Sequence, residues 1–120
     1  MSYDKNNIFA KILRGEIPCK KVYENEYVLS FYDIHPQKKI HILVIPKGEY
    51  INLDDFNNKA SDKEIVQFNK AITHIVEMLK ISSKEHGYRA LSNIGKDGGQ
   101  EVLHLHYHIF GGEKIGKMVI

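Results

Sequence analysis

The segment QEVLHLHYHIFGG, residues 100–112, carries three of the chain's seven histidines at every second position of an apolar run. A strand turns successive side chains to opposite faces. His104, His106 and His108 therefore project from one face, and Leu103, Leu105, Tyr107 and Ile109 from the other. Three chemistries suit such a row. It can be the wetted face of an antiparallel strand, although those faces more often carry Thr, Lys or Glu. It can bind metal: neighbours on one face stand about 6.7 Å apart and the outer pair about 13 Å, so one ion would take two rings and need a further ligand, with His41 the obvious candidate. It can also act on phosphorus, since a neutral imidazole is a nucleophile near pH 7 and its neighbours can donate to phosphate oxygens. The preceding IGKDGGQ favours an anion: glycine amides in such loops form anion-binding concavities. Gln100 has the parity of the three histidines, so its amide is expected to face the same site.

Bulk properties narrow the field. The chain has 120 residues, enough for one core, and residues 1–120 are expected to form a single domain. Its 17 basic and 15 acidic residues are well mixed, which gives no argument for nucleic acid. One cysteine, Cys19, excludes an internal disulfide and a CxxC metal clamp. The first residues hold no apolar stretch of membrane-spanning or signal-peptide length, so a cytoplasmic protein with no membrane partner is expected.

Several elements must hold the row. Residues 6–14 read as a short helix, capped by Asn6 or Asn7, ending at Gly15, with Ile8, Phe9 and Ile12 on one side. KKVYENEYVLSFYD reads as two strands around a turn at Asn25-Glu26. IHILVIP, residues 40–46, is apolar on both parities and suits a central strand. Residues 48–60 are polar and read as a surface loop. From Ser61, with Glu64 at capping-box spacing, a long amphipathic helix runs through Ile65, Phe68, Ile72, Ile75, Val76 and Leu79. GYRALSNIGKDGGQ gives a strand and a glycine loop. The order suggests α+β with a mainly antiparallel sheet.

GGQEVLHLHYHIFGG resembles the signature of the histidine triad superfamily, in which histidines alternate with apolar residues. NIFAKILRGEIPCKKVYENEYVLSFYDIHPQ, IHILVIPK and GYRALSNIGKDGGQ, in this order, resemble its Hint branch of nucleoside phosphoramidate hydrolases. The resemblance implies a histidine-triad fold: a five-stranded antiparallel sheet with one long and one short helix, in homodimers whose sheets join. It also implies a purine nucleotide substrate, P–N cleavage of nucleoside 5′-phosphoramidates and also of aminoacyl adenylates, no cofactor and no metal. His106 matches the nucleophile, flanked by His104 and His108, which orient it and contact phosphate, and supported by His41. Asp33 matches the carboxylate that holds the ribose hydroxyls, and Ile8, Phe9, Ile12, Phe31, Ile34 and Leu43 match the nucleobase pocket. Asn93, Gly99 and Gln100 match residues around phosphate and leaving group. Glu101 stands where some relatives carry a serine that donates to the leaving group, a bond an ionised carboxylate cannot make. The ending EKIGKMVI lacks a tryptophan found in the tails of many relatives. Asp33 also suits a plain turn cap. His35, His74 and His86 have no such context and read as surface residues. Two other classes stand beside this reading: a dinucleoside polyphosphate hydrolase, and a non-catalytic nucleotide- or metal-binding adaptor.

Overall fold

The computed structural model describes residues 2–118. A helix α1 (Ile8–Leu13) precedes strands β1 (Lys21–Glu24), β2 (Val28–Tyr32) and β3 (Ile40–Pro46). Helices α2 (Leu53–Lys59) and α3 (Asp62–Met78) follow, then β4 (Arg89–Leu91) and β5 (Tyr107–Gly111). The strands form one antiparallel sheet in the order β1-β2-β3-β5-β4. β3, apolar on both parities, takes the middle and is buried along nearly its whole length.

The sheet sorts its residues by parity. One face presents Val28, Ile42, Val44 and Ile109 to Phe68, Ile72, Ile75 and Val76 of α3. The other presents Leu29, Phe31, Leu43 and Ile45 to Phe9 of α1. Local chemistry starts each helix. Asn7 accepts from the Ala10 amide at the start of α1, and Ser61 and Glu64 form a reciprocal capping box on α3. Asn25 accepts from the Tyr27 and Val28 amides to turn β1 into β2.

Two expectations are corrected. Residues 48–60 contain α2, not only loop: Asn52 caps it by accepting from the Asp55 amide, and Phe56 is buried three residues after Leu53. A single inward face on a short helix leaves its composition polar, which hid it. With α2 the described residues form three helices rather than two. The strand in the histidine segment is also shorter than the alternation implies, spanning only Tyr107–Gly111. Upstream, backbone groups bond outside the ladder: the Leu105 amide donates to the Tyr50 carbonyl, and the carbonyls of His104 and His106 accept from side chains. Leu103 is exposed there, while Leu105 and Ile109 reach the core.

Ile75 is fully buried between α3 and the sheet, whereas Ile34 is 80% exposed. Ile75→Ala is expected to cost about 2–5 kcal/mol and Ile34→Ala close to nothing. Urea unfolding midpoints check this, and equal losses would contradict the assignment of the core.

Candidate active site

The face that carries Leu43 also carries the histidines. Leu43 pairs across β3 and β5 with His108, and His41 with Phe110. Asp33, just past β2, continues the parity of Leu29 and Phe31, and its amide donates to the His41 carbonyl. These residues line a hollow of about 300 Å³ together with Phe9, Asn93, Gly99 and Glu101. A larger hollow of about 610 Å³ near Ile40, Leu79, Ile81 and His86 has no comparable cluster of rings and carboxylates.

Each ring's hydrogen bonds assign its proton. A carbonyl only accepts, so the His106 Nδ1–H donates to the His104 carbonyl at 2.8 Å. That leaves Nε2 of His106 with its lone pair. The ring is fixed further by edge-on contact with Phe9, 4.9 Å between centroids, and Ser92 Oγ donates to the His106 carbonyl. His104 Nε2–H donates to the Pro46 carbonyl at 2.9 Å, and its Nδ1 accepts from Tyr3 Oη at 2.5 Å. Both nitrogens of this fully buried ring are thus engaged. His104 therefore supports the row and does not offer a phosphate contact, contrary to the expectation from sequence.

A second relay runs through His41. The Gln37 amide donates to His41 Nδ1 at 3.2 Å, so the proton of a neutral His41 ring lies on Nε2. That Nε2–H faces His108 Nδ1 at 2.9 Å and Asp33 Oδ2 at 3.4 Å. His108 accepts at Nδ1 and so carries its proton on Nε2. The hollow therefore meets one ring with a lone pair, His106, beside one with a donor, His108, their centroids 5.1 Å apart. Asp33, His41 and His108 also bring their ligand atoms within 4.8 Å of one another, as a cation would require. The donor chemistry disagrees: a metal on His41 Nε2 needs the proton on Nδ1, where the Gln37 amide already points.

Burial keeps the rings neutral. It pushes His104 down to about 4, with the Pro46 carbonyl opposing. Burial, helped by the neighbouring His106 and His41, pushes His108 down to about 4 against the pull of Asp33. His106 is lowered by burial, opposed by its bond to the His104 carbonyl and by Asp33 and Glu101. His41 is lowered by burial against Asp33. The donors beside His106 are thus neutral N–H groups rather than imidazolium ions.

The remaining candidates divide. Phe9, Leu43, Asn93, Gly99 and Glu101 line the hollow, and so do Val102 and Gln37, which the sequence did not single out, and His35, which is exposed as expected yet sits on the rim. Asp33 does cap a turn, its Oδ1 accepting from the His35 amide, yet it also faces the histidines. Phe31 is buried in the apolar cluster under α1, against which Ile12 packs, while Ile8 and Ile34 are exposed. Gln100 turns away: its Nε2 donates to the Ile51 and Val102 carbonyls and its Oε1 accepts from the Gly95 amide. The Gly99 and Gln100 amides are likewise spent inside their own loop, on the Lys96 and Gly95 carbonyls. The glycines are there for the turn. Gly99 has φ +77°, and a Cβ on Gly98 would lie 2.3 Å from the Ile94 carbonyl oxygen. Tyr3 had no signal at all, since it meets His104 from 101 residues away.

A histidine held near 4 when folded and about 6.5 when unfolded makes stability pH-dependent. As pH falls below 6.5 the unfolded chain binds protons that folded His104 refuses, so stability is lost on acidification. His104 alone should remove on the order of 2 kcal/mol between pH 6.5 and 5, read as a falling urea midpoint. A flat midpoint over that range would contradict the neutral, buried ring.

Comparison with known proteins agrees with this arrangement. The HIT domain family matches residues 14–115. An uncharacterized 13.2 kDa HIT-like protein of Azospirillum brasilense is 52% identical over 118 residues, covering 98% of this chain and 95% of that protein. Among solved structures, a HIT family hydrolase from Clostridium thermocellum is 36% identical with a TM-score of 0.85, covering 98% of this chain and 99% of that one. A histidine triad protein from Clostridium difficile is 41% identical with a TM-score of 0.82, covering 97% and 98%. With the family's domain spanning most of its length and its fold matched at these identities, the chain belongs to the HIT domain family.

Proposed function

We propose that the protein hydrolyses the P–N bond of purine nucleoside 5′-phosphoramidates through a covalent nucleotidyl-histidine on His106, as in the Hint branch. The observation that carries this reading is the His106 tautomer: Nδ1–H is spent on the His104 carbonyl, so the ring nitrogen left for the hollow is an unprotonated nucleophile.

In the first step the Nε2 lone pair forms a bond to phosphorus and the P–N bond breaks. The amine departs with a proton taken from solvent. His108 Nε2–H, aligned by the His41 relay, donates to a non-bridging oxygen as charge builds there. As the ring becomes cationic, the His104 carbonyl holds its Nδ1–H and stabilises the positive charge. In the second step water oxygen bonds to phosphorus, the pair returns to Nε2, and a proton goes to bulk. Asp33 takes the ribose hydroxyls with the carboxylate oxygen that the His35 amide leaves free. The base lies against Phe9, Leu43 and Val102 and covers Ile8 and Ile34 at the rim. Aminoacyl adenylates fit the same steps with a carboxylate leaving group. A homodimer belongs to this reading too, and the sheet offers its edges β1 and β4 for joining.

His106→Ala is expected to abolish turnover of an AMP amide, a loss of at least about 10³-fold, while AMP still binds. Mass spectrometry of acid-sensitive, substrate-labelled protein should find the nucleotidyl group on His106. A fully active His106→Ala protein, or a label on another residue, would refute the mechanism.

A further inference from the structure

The hollow is unusual for a place where a phosphate is handled. Two carboxylates, Asp33 and Glu101, line it, and among the described residues no lysine or arginine does. Of the four imidazoles that line it, His41, His106 and His108 are driven towards their neutral forms by burial, and His35 is exposed at the rim. The glycine-loop amides at Gly95, Gly99 and Gln100 are engaged elsewhere. A ligand therefore meets a site with two carboxylates, faced by the N–H donors of buried neutral rings and, at the rim, by the exposed His35.

Charge counting then ranks ligands. A nucleoside monophosphate dianion or a polyphosphate adds like charge to the site. A phosphoramidate carries a single negative charge on phosphorus, and one whose amine bears a second, protonated amino group is neutral overall. Asp33 does not read that distant charge, because in the reading above it holds the ribose, on the other side of phosphorus from the leaving amine. Glu101 can read it. It is exposed on the rim beside Gly99, and its field reaches His106, where it favours the protonated ring.

We infer that the site selects nucleotidyl amines whose leaving amine carries an additional positive charge, and that Glu101 is the residue that reads it. This rests on the phosphoramidase reading above. The selection also separates substrate from product. Hydrolysis turns a neutral ligand into a nucleotide dianion and an amine dication, and the two carboxylates then repel the nucleotide that remains.

The test compares two AMP amides of matched length on the full chain, one of hexamethylenediamine, with a free terminal ammonium, and one of n-heptylamine. The ratio of their kcat/KM values is measured at low and high salt for the unaltered protein, for Glu101→Gln and for Glu101→Lys. An exposed ion pair predicts a preference of about fivefold for the cationic amide at low salt. That preference should shrink at high salt, vanish in Glu101→Gln and invert in Glu101→Lys. Because the readout is a ratio, any change of overall rate on substitution cancels. A ratio near one in the unaltered protein, or one untouched by Glu101→Gln, overturns the assignment while leaving the phosphoramidase reading standing. If neither amide is cleaved, that reading falls and the selection with it.

Discussion

One hydrogen bond governs the chemistry of this site: the His106 Nδ1–H donated to the carbonyl of His104, two residues earlier. It fixes the tautomer, the ring orientation and the nitrogen left over for the hollow. A carbonyl cannot donate, so the bond has one polarity, and Nε2 must be the lone-pair nitrogen of a neutral ring. The bond is dependable only if the His104 peptide is still. That is the task of the buried His104 ring, tied at one end to the Pro46 carbonyl and at the other to Tyr3. Burial favours the neutral form of both rings, so the Nε2 lone pair of His106 needs no separate base to free it.

The fold supplies that stillness by dividing labour between the two faces of one sheet. The α3 face is packed with aliphatic and aromatic residues and holds the sheet rigid. The opposite face has a smaller apolar cluster under α1, and where that cluster ends, His41, His108 and Asp33 begin. Neighbouring strands bring these polar groups together by register alone, with Leu43 opposite His108 and His41 opposite Phe110. Two relays result, His104 to His106 through the backbone and Gln37 to His41 to His108 through rings. They leave adjacent imidazoles in complementary states, one an acceptor and one a donor.

Much of this was legible in the sequence where a signal is local and periodic. The parity of His104, His106 and His108, the two-sided burial of β3, the Ser61–Glu64 cap and the turn at Asn25 each follow from residue type and spacing, and each is found. Less local features escaped. Tyr3 reaches His104 from 101 residues away, and Gln37, four residues before His41, acts through its backbone amide, which no residue type signals. Helix α2 buries too few residues for its period to stand out. The glycine loop and Gln100 were read by composition as an anion cradle, but whether an amide is free depends on which carbonyls the folded loop brings near it. The expected strand through His104 failed for a related reason: alternation survives where ladder bonding does not, because side chains and the Tyr50 carbonyl take over the pairing.

Imidazole tautomers can be read directly in solution. A two-bond proton–nitrogen correlation spectrum of the uniformly labelled protein at neutral pH tests the central constraint without substrate. His106 is expected to appear as a neutral ring with its proton on Nδ1 and an unprotonated Nε2. A His106 ring protonated on Nε2, or present as the imidazolium at pH 7, would contradict it.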